Sequence, residues 1–159
     1  MANFSHLDDS GKVNMIDISE KSVTKRTAIA RSIMVLPQVI IDQFSEGDIQ
    51  TKKGAVFQTA ILAGIMAAKK TGDLIPLCHP IGMNNCKITI AFNESNELII
   101  ECTATVEAKT GIEMEALVGA SIAALTVYDM CKALSHEIVI KDTRLIQKTG
   151  GKHDFIKTT

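Results

Sequence analysis

The sequence predicts an α+β protein in which helices pack on one face of an antiparallel sheet. Strand-like and helical patterns alternate along its 159 residues. Two segments rich in Ile, Thr and Val, residues 83–92 and 98–106, flank a short polar turn and predict a β-hairpin in the middle of the chain. Because a purely parallel sheet contains no hairpin, this order favours the α+β class, and the length favours one domain over residues 1–159.

The N-terminal part of the chain predicts an arm, a strand and a short helix. Residues 1–14 are polar and are expected to be mobile, and a short apolar stretch follows at 15–18. Residues 24–36 predict a strand that stops before Pro37, since proline lacks the N–H group that a sheet requires. Proline suits the first turn of a helix, so a helix is predicted over 37–44.

A second helix is predicted after Gly54, because Phe57, Ile61, Ile65 and Ala68 recur at helical spacing. A basic last turn and a glycine end it. Beyond the hairpin, a third helix is predicted over 112–134, then a strand over 137–146 and a polar tail, with 149–159 expected to be mobile. The third helix has larger apolar residues on one side. The residues on its other side are small, so a sheet, a helix or a second subunit could approach its backbone closely. The small residues are Ala116, Gly119, Ala120, Ala123 and Ala124.

Composition argues against several classes of partner. Lys and Arg total 17 against 18 Asp and Glu, so the chain lacks the broad positive field that binds duplex nucleic acid, and its aromatic content of 4% disfavours base stacking. The uncharged stretches, such as residues 116–128, are shorter than the roughly 20 residues of a membrane-spanning helix. We therefore expect a cytoplasmic protein that binds neither nucleic acid nor membrane and keeps its four cysteines reduced.

The loop around Cys78 and His79 is the most informative candidate site. Pro76 and Pro80 restrict the backbone at both of its ends and hold the two side chains stiffly. A rigid turn with an incidental histidine explains the loop equally well. A zinc site is disfavoured, because no second pair of ligands stands at the spacing that zinc sites require.

Charged residues stand near both ends of the third predicted helix. Glu113 and Glu115 open it, where acids also simply complement the helix dipole, and Asp129 lies three residues before Lys132, as in an ordinary surface ion pair. Glu115 and Asp129 are separated by about four turns, or roughly 21 Å, and cannot act on one atom within one chain. If both are functional, either a long ligand spans the helix or a second copy of the chain completes the site, and we adopt the second hypothesis.

Basic residues cluster although the net charge is −1. Lys148 and Lys152 flank Gly150 and Gly151, a combination of amides and ammonium groups that suits phosphate oxygens, although it is not a Walker loop. Each cluster taken alone is more typical of a solvated surface than of a binding site. The other clusters are Lys21, Lys25 and Arg26; Lys52 and Lys53; and Lys69 and Lys70.

Six segments together resemble one family, the molybdenum cofactor biosynthesis protein C family, or cyclic pyranopterin monophosphate synthases. They are KKGAVF at 52–57, AGIMAAKK at 63–70, DLIPLCHP at 73–80, GIEMEAL at 111–117, LTVYDMCKA at 125–133 and KTGGK at 148–152. Shorter matches are SHL at 5–7 and MIDIS at 15–19. The tail departs from the family pattern, since His153 follows the KTGGK segment where the family usually has serine.

The resemblance implies a ferredoxin-like subunit in a hexamer built as a trimer of dimers, with active sites at subunit contacts. It also implies the reaction. A cyclised GTP derivative, (8S)-3′,8-cyclo-7,8-dihydroguanosine 5′-triphosphate, becomes cyclic pyranopterin monophosphate and diphosphate is released. A radical enzyme supplies that substrate.

Carried over residue by residue, the resemblance implies a lyase with an acid/base mechanism. We take Asp129 and Lys132 as the catalytic pair, with Lys53 as proton donor or acceptor. Glu113 and Glu115 suit the guanine edge or a proton relay, and His79 suits a phosphate or sugar contact. The full set of implied substrate contacts is Lys21, Arg26, Leu77, Cys78, His79, Glu113, Met114, Glu115 and Lys148.

No cofactor motif and no metal-ligand pattern is visible, and Mg²⁺ carried by the substrate phosphates is compatible with the chain. Two other functions stay open from composition and spacing alone. One is a non-catalytic module that binds a nucleotide between subunits, and the other is a zinc-dependent hydrolase that uses Cys78 and His79.

Overall fold

A computed structural model of the chain describes residues 10–157. The SHL match of the family comparison and part of the predicted N-terminal arm lie outside these residues. In chain order the elements are β1 (Thr24–Val35), α1 (Gln38–Ile41), β2 (Phe44–Ser45), β3 (Asp48–Thr51), β4 (Gly54–Ala55), α2 (Val56–Ala68), α3 (Thr71–Leu74), β5 (Asn85–Phe92), β6 (Leu98–Ala108), α4 (Glu113–Cys131), β7 (Val139–Thr149) and β8 (Phe155–Ile156).

Five strands form one antiparallel sheet in the order β5-β6-β1-β7-β8. The predicted α+β class and the β5–β6 hairpin are confirmed. Both long helices pack against the same face of the sheet, α4 mainly on β1 and β6 and α2 on β5. Helix α1 is shorter than predicted, because the chain leaves it to form a second small sheet, β2-β3-β4, which the sequence analysis missed. A left-handed turn at Glu46 and Gly47 makes that sheet possible.

The buried face of α4 is its small one. The alanines and Gly119 of the small side are buried, whereas Met114 is 36% and Leu125 is 52% exposed on the larger side. A Cβ atom added at Gly64 of α2 would lie 2.6 Å from the carbonyl oxygen of Gly119. The close approach that the small residues predicted is therefore made by α2 and the sheet, inside one chain.

Helix α4 carries predicted site residues at both of its ends. Its 19 residues span about 28 Å, so its two ends face different surroundings. Within residues 10–157 it is the one helix long and apolar enough to span a membrane, but half of it is buried inside the protein, as in the core helix of any compact fold.

The C-terminal part of the chain continues the sheet further than predicted. Strand β7 extends to Thr149, and Phe155–Ile156 returns to pair with it as β8. Gly150 allows this turn, since its φ is +83° and a Cβ atom there would collide with the carbonyl oxygen of Lys25. The turn holds the KTGGK segment against the first residues of β1.

Candidate active site

The predicted site residues fall into two groups, one at each end of α4. Lys53, Asp129 and Lys132 lie at its C-terminal end. The second group surrounds its N-terminal end, where the loop 75–81, the segment 16–21 and the end of β7 converge. We call them the lysine–aspartate cluster and the acidic pocket, the latter defined by Glu113 and Glu115.

In the lysine–aspartate cluster, one carboxylate binds two ammonium groups. Lys132 Nζ lies 2.7 Å from Asp129 Oδ1, and Lys53 Nζ lies 3.2 Å from Oδ2. Lys53 also donates to the backbone carbonyl of Asp129 at 3.2 Å, near the negative end of the helix dipole. About half of each side chain is exposed. The cluster is therefore assembled within one chain but open to a ligand or a neighbour.

The two lysines fix the ionisation of this cluster. The hydrogen bond from Lys132, followed by that from Lys53 and by their charges, lowers the pKa of Asp129. In return, the hydrogen bond and the charge of Asp129 raise the pKa of Lys132. Lys132 is therefore an exposed ammonium group held in its charged form by a carboxylate, and not a buried lysine with a lowered pKa.

The acidic pocket has a volume of about 320 Å³. Leu77, Cys78 and His79 reach it from the proline-bounded loop, and Lys21 reaches it from the N-terminal segment. Glu113, Met114 and Glu115 enter it from the first turn of α4. Seven of the predicted substrate contacts therefore line one cavity.

His79 ties the N-terminal segment to this pocket. Its Nε2 lies 2.9 Å from the carbonyl oxygen of Ile16, and because a carbonyl only accepts, Nε2 carries the proton in this contact. Lys109 Nζ donates to the carbonyl of Ser19 at 2.6 Å on the same segment. Ile16 and Ile18 consequently form part of the cavity wall, which sequence reasoning missed, although their alternation was visible as a short strand-like signal.

Burial makes Glu115 the unusual acid of the site. Its side chain is 3% exposed, and burial, followed by the charge of Glu113, raises its pKa despite an opposing backbone hydrogen bond. Burial, with the charge of Glu115, likewise raises the pKa of the Cys78 thiol. The pocket thus favours the protonated forms of both groups.

Glu113 connects the acidic pocket to a second, cation-lined cavity of about 230 Å³. Its Oε1 lies 3.0 Å from Lys148 Nζ, and both residues line this cavity together with Arg26, Lys152 and His153. Arg26 is held by hydrogen bonds from Nε and Nη2 to the carbonyls of residues 108 and 109. A Cβ atom at Gly111 would collide with the Glu113 carboxylate, so the glycine leaves room for it at the shared wall.

The remaining candidates are the cysteines and the side chains that could bind a metal ion. Cys78, Cys86, Cys102 and Cys131 are free thiols in this structure. Within residues 10–157 no three His, Cys, Asp or Glu side chains gather into a group that could hold a metal ion.

The fold and the site define a class: an α+β chain in which a cation-lined cavity adjoins an acid-lined one, an arrangement suited to a phosphorylated ligand. A protein-family model described as the MoaC family matches residues 15–151. The chain belongs to this family.

Several curated relatives match almost the whole length of this chain. Cyclic pyranopterin monophosphate synthases of Xanthomonas campestris pv. campestris and Bacillus thuringiensis subsp. konkukian are 47% and 48% identical, covering 97% and 96% of this chain and 93% and 95% of their own length. The molybdenum cofactor biosynthesis bifunctional protein of Synechocystis sp. is 50% identical over 98% of this chain, which spans 46% of that protein. The chain spans only 26% of molybdenum cofactor biosynthesis protein 1 of Dictyostelium discoideum, at 48% identity.

Proposed function

We propose that the chain is a cyclic pyranopterin monophosphate synthase, a lyase of molybdenum cofactor biosynthesis. Its substrate would be (8S)-3′,8-cyclo-7,8-dihydroguanosine 5′-triphosphate. The observation that carries this proposal is the shared wall at Glu113, where an acid-lined cavity meets a cavity lined by Arg26, Lys148 and Lys152. A purine-derived base with donor N–H groups and a triphosphate need these two environments side by side.

The arrangement of the elements supports a ferredoxin-like classification. The long elements follow the order β1-α2-β5-β6-α4-β7, which is the β-α-β-β-α-β pattern of that fold. Both helices cover one face of an antiparallel sheet, and the outer strands are β5 on one side and β7, extended by β8, on the other.

Phosphate chemistry is the step for which the residues are best suited. A sugar hydroxyl attacks the α-phosphorus, the new O–P bond forms, the bond from the α-phosphorus to the bridging oxygen breaks, and diphosphate leaves. Ammonium groups from Lys148 and Lys152 and the guanidinium of Arg26 would neutralise the negative charge that develops on diphosphate. The hydroxyl proton needs an acceptor, and the ionised carboxylate of Asp129 from a second copy of the chain would serve, with Lys132 and Lys53 of that copy holding it in place.

Ring rearrangement requires proton donors as well. Burial raises the pKa of Glu115 and so favours its protonated form beside the cavity, and Glu113 faces the same cavity. These two acids suit proton transfer at the guanine edge while the purine-derived ring opens and closes as a pterin.

We further propose that a second copy of the chain completes each active site, in a hexamer built as a trimer of dimers. The lysine–aspartate cluster and the acidic pocket lie at opposite ends of α4, too far apart for one small substrate. The cluster is half exposed and borders an apolar groove of about 660 Å³ lined by Met130, Ala133 and Leu134.

A cytoplasmic location and a lack of nucleic-acid or membrane partners are proposed from the balanced charge and the buried face of α4.

Diphosphate release tests the function. Purified protein is incubated with the cyclised GTP derivative, and diphosphate and the pterin product are quantified; we expect one of each for every substrate consumed. Binding without release would favour the non-catalytic nucleotide module. Release that stops with a chelator of zinc and returns with added zinc would favour the hydrolase.

A further inference from the structure

One buried carboxylate outside the described site lies beneath the start of α2. Asp48, the first residue of β3, is 7% exposed. Its Oδ1 accepts the N–H of Phe57 at 2.7 Å, and its Oδ2 accepts that of Gln58 at 3.1 Å. Ala55, which precedes the helix, offers no side-chain cap. Asp48 therefore caps α2 from another element and satisfies N–H groups that the helix itself leaves unpaired.

These hydrogen bonds tie together both ends of the hairpin that carries Lys53. Between Asp48 and the start of α2, strands β3 and β4 pair through only two residues each, and Lys52 and Lys53 form their turn. The turn itself is supported by Thr51, whose Oγ1 accepts the N–H of Lys53 at 3.1 Å. So short a hairpin has few bonds of its own, and the carboxylate of Asp48 fixes its base.

Asp48 also lies close to the end of α4 that Lys53 contacts. Burial, with the charge of Asp48, raises the pKa of the Cys131 thiol to about 11. Cys131 is two residues beyond Asp129, the partner of Lys53. The carboxylate is thus placed where the hairpin, α2 and the C-terminal end of α4 meet.

We propose that Asp48 is a positioning residue for Lys53: by joining the base of the β3–β4 hairpin to α2, it holds the Lys53 ammonium against Asp129. The inference rests on the proposed function in one respect, since Lys53 is the group through which Asp48 affects turnover. A lysine side chain has four rotatable bonds and does not by itself fix the position of its ammonium group. That position therefore depends on how firmly the backbone of the residue is held. A displacement of about 1 Å at a catalytic group costs about 10²-fold in rate.

The first test reads the position of Lys53 without using activity. Lysines of the full-length protein are acetylated with a limiting amount of acetic anhydride, and the modification at each site is followed by mass spectrometry. Asp48→Ala is expected to raise the acetylation rate of Lys53 at least about threefold, because the ammonium spends less time paired. Lys141, which is paired with Glu97 on the sheet, is expected to keep its wild-type rate. An unchanged rate at Lys53 overturns the proposal.

The second test separates positioning from a general loss of stability. Asn93→Ala is the matched control, since Asn93 Oδ1 also accepts two backbone N–H groups, from Ser95 at 2.9 Å and Glu97 at 2.8 Å, in the turn between β5 and β6, which carries no predicted site residue. Urea unfolding, kcat and KM are measured for both variants. Asp48→Ala is expected to lower kcat tenfold to a hundredfold and to change KM less than threefold, whereas Asn93→Ala loses stability alone. Equal kcat losses in the two variants, or a loss confined to KM, contradict the proposal.

A conservative variant covers the case in which Asp48→Ala does not fold. Asp48→Asn keeps one acceptor oxygen for a helix N–H, and we expect it to have an intermediate kcat and an intermediate acetylation rate at Lys53. A folded Asp48→Asn protein with wild-type values of both overturns the proposal. Should the wild-type protein release no diphosphate, the proposed function fails, while the acetylation of Lys53 still decides the role of Asp48.

Discussion

The Nζ atom of Lys53 lies 3.2 Å from Oδ2 of Asp129, although 76 residues separate them in the chain. Lys53 comes from the turn of a short hairpin and Asp129 from the last turns of α4, where Lys132 binds the other carboxylate oxygen at 2.7 Å. One carboxylate thereby holds two cations in fixed relative positions. An exposed pair of this kind adds little stability, so its value lies in what it presents to a ligand.

Removing any member of this cluster is expected to abolish most turnover. Lys53→Ala, Asp129→Ala and Lys132→Ala should each lower kcat by about 10²-fold or more, because each removes a proton-transfer group or the charge that holds it. The rate of diphosphate release measures this. Lys141→Ala is the matched control, since it removes an exposed lysine that is paired with Glu97 instead of Asp129. A variant of the cluster with a near-normal rate would be removed from the catalytic set.

Mixed oligomers should recover activity that each parent lacks. Asp129→Ala is defective in the lysine–aspartate cluster and Glu113→Ala in the acidic pocket, so a site built from two copies is intact in about one quarter of cases after random mixing. The variants are unfolded together, refolded at equal amounts and assayed for diphosphate release. Activity no greater than that of the separate parents would contradict a site shared between copies.

Replacing the buried acid should change stability in a pH-dependent way. The folded-state pKa of Glu115 is raised by burial, so its contribution to stability is fully present below the unfolded value near 4.5 and is lost as pH rises through the folded value. Glu115→Gln is therefore expected to be more stable than wild type at pH 7, with the difference shrinking as pH falls from the folded pKa toward 4.5 and absent below it. Urea unfolding across pH 4 to 8 measures it, with the exposed Glu94→Gln as the control for removing one charge. A difference that grows toward low pH would contradict this assignment.

The contact between α2 and α4 is expected to tolerate no extra methyl group. Gly64→Ala places Cβ 2.6 Å from the Gly119 carbonyl oxygen, and we expect the free energy of unfolding to fall by about 1–3 kcal/mol even though alanine favours helix by about 1 kcal/mol. Gly82→Ala, with no heavy atom within 4 Å of the added Cβ, should stay within about 0.5 kcal/mol. Thermal or urea unfolding compares the two. Equal stabilities would mean that the helices move apart at little cost.

Much of the fold was readable from local patterns. Strand β1 ends shortly before Pro37, and β5 and β6 form a hairpin around a polar, Asn-rich turn. Both features were predictable because proline and turn residues affect the backbone conformation of only a few neighbouring residues. The β2-β3-β4 sheet could not be found in this way. Its strands have two to four residues, too few for an alternating pattern, and they exist because Asp48 and the turn at Gly47 connect them to α2.

For this protein the sequence by itself determined the family, the α+β class and the identity of the charged residues, since these depend on residue types and spacing along the chain. Tertiary structure decided which residues meet: Lys53 with Asp129, Glu113 with Lys148, and His79 with the carbonyl of Ile16. It also placed the small side of α4, rather than its larger apolar side, in the core. The physical reason is that ion pairing and close packing depend on distances across the fold, which the local conformational preferences of a chain do not specify.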